Sequence, residues 1–340
     1  MKEHVLVTGG AGYIGSVLTR LLLEHGYRVT VLDRLFFGRQ TLPPDDDNLR
    51  VIKDDIRWVD PSVLKGVDAV IDLAAISNDP AGELNQEKTW EINHRGRVRI
   101  CGLAKEAGAR RYILPSSCSI YGFQEGILDE TSDTNPLTTY AEANLKAEGD
   151  VLSLADEKFC VVVIRQATVY GFSHRMRFDL AVNGMVKGFL QKGKIPILRD
   201  GTQWRPMVHV RDTSNAMRML LSAPADKVNG QIFNVGSDSQ NYQIKPLAEA
   251  VAGGLEMPFA YEWYGDPDHR SYRVSFEKIR TALDYQPQED AASGARVVAE
   301  GIKSGELDPN DPKTITVGWY KRLLEMSAFL KDVEHDGEVI

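Results

Sequence analysis

The string "LVTGGAGYIGS" sets Gly9, Gly10, Gly12 and Gly15 between a β-branched run and a stretch of helical period. A backbone without side chains at those places can turn sharply and bring amide N–H groups against an anion at the N-terminus of the next helix. Such a string in isolation marks a tight loop about as often as a phosphate cradle, so its context decides. Further runs, "RVTVLD", "AVIDLAA" and "RYILPSS", are short, β-branched and closed by turn or polar residues. Amphipathic stretches of helical length lie between several of them, and the alternation predicts βαβ units and a parallel sheet. "CVVVIRQATVYG" is read as a further strand of that sheet.

Helices are predicted over "SVLTRLLLEHG", closed by Gly26, over roughly 84–107 and over roughly 139–156. After residue 166 the periodic segments shorten and arginines and prolines cluster, before strand-like "PMVHV" and "QIFNVG" return. This predicts a doubly wound α/β domain of Rossmann type over 1–165 plus about 206–237. A smaller interleaved α/β lobe takes about 166–205 plus 238–312, and 313–340 forms a C-terminal amphipathic helix and tail.

Composition narrows the function. A formal net charge of -8 argues against general nucleic-acid binding but leaves room for a local arginine cluster around one phosphate ligand. Cys101, Cys118 and Cys160 have neither zinc-site spacing nor an even count, so no metal and no disulfide framework are expected. No apolar run is long enough for a bilayer and no signal peptide precedes the first strand, which makes a cytoplasmic location the expectation.

About 20 residues past the glycines the second strand ends in Asp33, whose carboxylate can accept both hydroxyls of an adenosine ribose and would repel a 2′-phosphate. NAD is therefore expected over NADP. Arg34 has two readings, a guanidinium turned toward a 2′-phosphate or a solvated surface arginine.

In order along the chain, "TGGAGYIG", "LDR", "DDIR", "LAA", "SSCSIYG", Tyr140, "RQATVYG" and "RPMVHVRD" resemble the extended short-chain dehydrogenase/reductases, specifically the NAD-dependent nucleotide-sugar epimerases and dehydratases. The match spans roughly residues 3–290. The resemblance implies that Gly9, Gly12 and Gly15, with Tyr13 and Ile14 beside them, hold the pyrophosphate. It places Asp33 on the adenosine ribose, Asp55 and Ile56 at the adenine, and Leu73, Ala74 and Ala75 beneath the cofactor. Asn93 resembles a residue that braces the sheet. Ser117 resembles the hydroxyl that hydrogen-bonds the reacting sugar oxygen, and Tyr140 the catalytic base.

The family's 4,6-dehydratases carry an Asp-Glu pair where this chain has Cys118 and Ser119, and its UDP-glucuronate decarboxylases a glutamate at Ser119. Loss of water needs an acid and a base, which cysteine and serine replace poorly. Epimerisation through a transient ketone, or simple oxidation of a sugar hydroxyl, is left. Cys118 is either a substrate contact or a small apolar filler.

One departure touches the chemistry. The resembling enzymes place a lysine four residues after the tyrosine, contacting the nicotinamide ribose and lowering the tyrosine's pKa; here that residue is Asn144. A free tyrosine titrates near ~10, and a nearby cation is the direct way to stabilise its phenolate. At about 100° per residue Lys146 lies roughly 240° around the helix from Tyr140 and faces elsewhere. Three explanations stay open: oxidised nicotinamide supplies enough charge, another cation reaches in from the substrate lobe, or the protein is a weak or silent binder of NAD and nucleotide sugars.

In the smaller lobe, Gln166 is expected near the nicotinamide, and Thr168 stands where many relatives have asparagine near the sugar diphosphate. Arg205 matches an arginine that clamps the diphosphate, Asn183 an amide nearby, and Arg270 or Arg273 the second clamp. The cluster Arg175, Arg177, Arg199, Arg205 and Arg270 favours a diphosphate ligand, a nucleoside-diphosphate sugar. Ser77, Asn78 and Asp79 are read as lining the sugar pocket, and His209 as a core histidine. A homodimer through the helices over 84–107 and 139–156 is implied.

Overall fold

The computed structural model describes residues 3–44, 46–266 and 270–335. Its strands in chain order are β1 (His4–Thr8), β2 (Arg28–Asp33), β3 (Leu49–Lys53), β4 (Ala69–Asp72), β5 (Arg111–Ser117), β6 (Phe123–Leu128), β7 (Cys160–Gln166), β8 (Thr168–Tyr170), β9 (Ile195–Leu198), β10 (Trp204–His209), β11 (Gln231–Val235), β12 (Asn241–Gln243), β13 (Tyr261–Tyr264) and β14 (Ser271–Val274). Seven of them form one parallel sheet in the order β3-β2-β1-β4-β5-β7-β11. β1, β4 and β7 are buried along their whole length, as strands covered by helices on both faces must be.

The helices are α1 (Tyr13–Glu24), α2 (Asp79–Gly82), α3 (Gln86–Trp90), α4 (Arg97–Glu106), α5 (Thr139–Leu152), α6 (Ala181–Lys192), α7 (Val210–Ser222), α8 (Ala225–Val228), α9 (Ile244–Gly254), α10 (Glu277–Leu283), α11 (Ala291–Lys303) and α12 (Thr316–Val333). Leu18 and Leu22 of α1 and Met217 and Leu220 of α7 cover one face of the large sheet. Ile100, Cys101 and Ala104 of α4 and Ala147 and Val151 of α5 cover the other. A separate core joins α6, α9 and α11 through Val186, Phe189, Leu247, Val251, Ala295 and Val298. The doubly wound α/β fold with a smaller lobe is as expected from the sequence.

Three segments differ from expectation. The helix predicted over 84–107 is α3 and α4 joined by a π-helical turn, Glu91–Gly96. Within that turn Asn93 accepts from the Ile76 N–H at 2.8 Å and donates to the Ile76 carbonyl at 3.0 Å, bracing the chain just after β4. "CVVVIRQATVYG" is two strands: β7 stays in the large sheet, the Ala167 N–H turns to the Val235 carbonyl, and β8 pairs with β10. Because β10 lies in the small β12-β10-β8 sheet, the chain rejoins the large domain at α7 rather than at residue 206. Of the C-terminal segment, 336–340 lie outside the described residues, as do 267–269 beside Arg270.

α5, which carries Tyr140, is held to the sheet by a buried ion pair. Arg165 Nη2 of β7 lies 2.8 Å from Glu148 Oε2, with side chains 5% and 2% exposed, and the Ser116 hydroxyl of β5 also donates to Glu148. Glu148→Ala would leave the guanidinium buried and unpaired, a predicted loss of about 3–5 kcal/mol of stability. A urea denaturation midpoint that falls accordingly is the check.

Candidate active site

The strand order reverses between β1 and β4, and a cleft of about 520 Å³ opens at their carboxyl ends. Gly9, Gly12, Tyr13, Ile14, Gly15, Asp33, Arg34, Asp55, Ile56, Leu73, Ala74 and Ala75 all line it, and so does Ser77. The glycines have steric reasons to be there. A Cβ on Gly9, whose φ is +64°, would meet the Leu73 carbonyl carbon at 2.7 Å, and one on Gly15 would meet the Gly9 oxygen at 2.2 Å.

Asp33 accepts from the Ala11 N–H at 3.0 Å and the Leu35 N–H at 2.6 Å, so it ties the glycine turn to its own strand and keeps lone pairs for ribose hydroxyls. Burial raises its pKa against these bonds and the Arg175 charge. Asp55 is held at about 2: burial works against its charge, but hydrogen bonds from Arg57 and Arg34 outweigh it. Arg34 is thus neither free nor turned to a 2′-phosphate; it pairs with Asp55 at 2.8 Å and lies across Phe36.

The part that the C-terminal helix plays at this end of the cleft escaped sequence reasoning. α12 crosses the second lobe's edge and contributes Tyr320, Leu323, Leu324 and Ser327 to the lining, facing Phe36 and Phe37. The Trp319 indole donates to the Phe36 carbonyl at 2.8 Å, and the Tyr320 ring lies 6.2 Å from Phe36 and 5.8 Å from Phe37. Arg175 lies 3.6 Å above the Phe37 ring and donates to Thr316, while its Nε and Nη1 are buried with no protein partner. Burial and the neighbouring Arg177 bring its pKa down to about 10. Two orphan donors of a buried cation in a glycine-built cradle suit an anionic cofactor.

Ser117, Tyr140, Asn144 and Gln166 are not part of that lining; the carboxyl ends of β5 and β7 bring Ser117 beside Gln166 in register. Ser117 Oγ accepts from the Ser119 N–H at 3.1 Å, and the serine lies close enough to the phenol of half-buried Tyr140 to favour its ionised form. Burial raises the Tyr140 pKa and Asp79 adds to the rise; Arg97, nearby Ser117 and Arg177 oppose it. Asn144 is 1% exposed, its Oδ1 accepts from Arg97 Nη1 at 2.8 Å, and its Nδ2 has no partner. Gln166 is tied through its amide to Thr213 at 2.6 Å and the Ser116 carbonyl. Lys146 faces solvent and pairs with Asp150, and His209 is a buried core side chain whose pKa burial lowers to about 4.

Three residues expected at the substrate are consumed by the fold. Cys118 is 1% exposed and its thiol donates to the Arg165 carbonyl, so the apolar-filler reading holds. Asn183 is fully buried; it accepts from the Gly171 N–H and donates to the Tyr13 hydroxyl and the Arg177 carbonyl, leaving no donor for a ligand. Asn78 caps α2 by accepting from the Ala81 N–H and donates to Asp179. The arginine cluster also divides: Arg175 and Arg177 line the cofactor cleft, Arg199 is exposed at the end of β9, and Arg205 donates to the Arg270 carbonyl. Arg270 pairs with Asp79, and Thr168 stands on β8 beside Met207.

The fold and this cleft define a Rossmann-type dinucleotide-binding protein with a smaller second lobe. The model of the NAD dependent epimerase/dehydratase family matches residues 5–236, and the chain belongs to that family. UDP-glucuronic acid decarboxylase 1 of Xenopus tropicalis is 28% identical over 301 residues, 84% of this chain and 69% of the relative. UDP-glucose 4-epimerase of Lactobacillus helveticus is 27% identical over 311 residues, 84% of this chain and 92% of the relative. The structure of MoeE5 in complex with UDP-glucuronic acid and NAD superposes with a TM-score of 0.78 at 25% identity, covering 89% of this chain and 99% of that one. The cofactor is NAD, as the family's description states, and the relatives include UDP-glucuronic acid decarboxylases, a UDP-glucose 4-epimerase and a dTDP-glucose 4,6-dehydratase. No helix among the described residues is long and apolar enough to cross a membrane.

If α12 seals the adenosine end, Tyr320→Ala should weaken NAD binding about tenfold, the equivalent of about 1.4 kcal/mol of lost contact. Calorimetric titration of NAD into both proteins measures it, and equal affinities would separate α12 from cofactor binding.

Proposed function

We propose that this protein is an NAD-dependent nucleoside-diphosphate-sugar epimerase that works through a transient keto-sugar. The observation that carries the reading is Ser117 at the carboxyl end of β5 with Tyr140 of α5 near it, Cys118 turned into the core and Ser119 next to it. Proton removal from a sugar hydroxyl needs one base and one hydrogen-bond donor, which Tyr140 and Ser117 provide. Elimination or decarboxylation chemistry needs a further acid–base group, and neither Cys118 nor Ser119 is one.

Bound NAD supplies the two-electron acceptor and, on return, the donor; Gly9, Gly12, Gly15, Asp33 and Arg175 would hold it. Ser117 Oγ accepts from the Ser119 N–H, which leaves its one O–H to donate to a sugar oxygen. Tyr140 takes the hydroxyl proton as the ring carbon is oxidised and gives it back after the ketone has turned over. Arg205 and Arg270, joined at the Arg270 carbonyl, would grip the diphosphate so that the sugar can turn while the nucleotide stays fixed. Ser77, at hydrogen-bonding distance from Arg177, is read as a sugar contact.

The same reading includes a homodimer through the outer faces of α4 and α5, where Gly102 and Gly149 leave open space above the backbone. Elution as a monomer at micromolar concentration on gel filtration would remove the dimer without touching the chemistry.

The test is proton NMR of the protein with NAD and a panel of UDP-, GDP-, CDP- and dTDP-sugars in D₂O. A new epimer free of solvent deuterium is expected, and Tyr140→Phe should slow its appearance about a hundredfold or more. Deuterium in the product, water loss, decarboxylation, or binding with no conversion of any sugar would each overturn epimerisation by returned hydrogen.

A further inference from the structure

Asn144 carries no charge, yet a cation stands directly behind it. Arg97 opens α4 just after the π-helical turn and is 2% exposed. Its Nη1 donates to Asn144 Oδ1 at 2.8 Å, its Nη2 to the carbonyls of Asp72 (3.2 Å) and Pro115 (3.1 Å), and its Nε to the Ala74 carbonyl at 3.2 Å. The guanidinium is therefore fixed among the carboxyl ends of β4 and β5 and the helix that bears Tyr140. Asn144 lies one turn after Tyr140, only about 40° around the helix from it.

Burial this deep is costly for a guanidinium, and stapling strand ends does not require a full charge. Among the described residues no carboxylate forms an ion pair with Arg97. Asp72, the acid whose carbonyl it touches, turns its carboxylate instead to the hydroxyls of Thr8 and Tyr112. The field of Arg97 is thus offset by Asp72 at a distance rather than by a contact pair, and part of it reaches the Asn144 side. Asn144 itself is polarised by the bond: with Oδ1 held by a cation, its buried, unpartnered Nδ2 becomes a stronger donor toward a ligand oxygen.

We infer that Arg97 is a positioning residue for the proposed Tyr140 reaction, supplying from α4, through Asn144, the positive charge that favours the tyrosine's ionised form and orients the amide toward the cofactor's ribose. The inference rests on the reading of Tyr140 as the base, but its test needs no substrate. The charged groups that act on Tyr140 are Asp79 on α2, which opposes ionisation, and Arg97 and Arg177, which favour it, as does nearby Ser117. Asp79 is itself paired with Arg270 and bonded by Thr138, which tempers its effect.

The experiment is a tyrosinate absorbance titration of the full-length protein with saturating NAD, taken as the difference between each protein and its Tyr140→Phe counterpart. Arg97→Gln should raise the Tyr140 titration by about one unit or more, the effect of removing a nearby opposite charge. Arg97→Lys, which keeps the charge but loses the fork, should stay close to the native value. The double variant Arg97→Gln with Asn144→Lys should return toward it, because the cation is restored at the neighbouring position. Arg97→Gln leaving the titration unmoved, or Lys and Gln shifting it alike, would make Arg97 a purely structural staple and overturn the inference. Should Arg97→Gln alone not fold, the double variant decides: titration near the native value supports a native cation at work, and titration well below it shows that none was acting. A protein that passes these titrations but converts no sugar would sink the proposed reaction and leave the charge arrangement standing.

Discussion

No side chain fits between the Gly9 turn and the end of β4, and the cleft owes its shape to that contact. The turn packs its backbone on Leu73 and Ala74, while Gly15 lets α1 start against the Gly9 carbonyl. Asp33 then pins the same turn to β2 through the Ala11 N–H. Three neighbouring strands are thus locked at their carboxyl ends around one small piece of backbone. Asp33 at the end of β2 and Tyr13 and Ile14 at the start of α1 owe their positions to this arrangement.

The catalytic half depends on buried charge. Arg165 with Glu148 and Arg97 with its carbonyls both fasten the Tyr140 helix to the sheet, and they do it differently. The first is a contact ion pair, so its field largely cancels locally. The second has no contact counter-ion among the described residues, so its charge extends to its surroundings. That contrast is why one arginine reads as an anchor and the other as a contributor to the chemistry.

At the far end, α12 turns an open groove into a partly roofed one. Its exposed residues, Met326, Phe329 and Leu330, show that the helix is not held by a deep core of its own. It is held by a few contacts, Trp319 and Tyr320 on the Phe36–Phe37 turn and Thr316 on Arg175. A roof fastened at so few points fits a site that must admit a large dinucleotide.

The sequence alone determined the doubly wound sheet and the cofactor cradle, because strand and helix periods and the glycine spacing are local properties written within a few residues of one another. Asp33, Leu73, Ala74 and Ala75, which line the cradle at or just past strand ends, follow the same logic. What only the tertiary structure decided depends on contacts between distant segments. Asn183 and Cys118 have the right types and positions for a ligand, yet their polar atoms are spent on Gly171, Tyr13 and Arg165, which no spacing rule shows. Arg97 carried a signal, since it shares the buried stripe of Ile100, Cys101 and Ala104 on α4 where a charge is out of place. Its meaning appeared only when the fold set it 47 residues along the chain from Asn144 and within hydrogen-bonding distance of it.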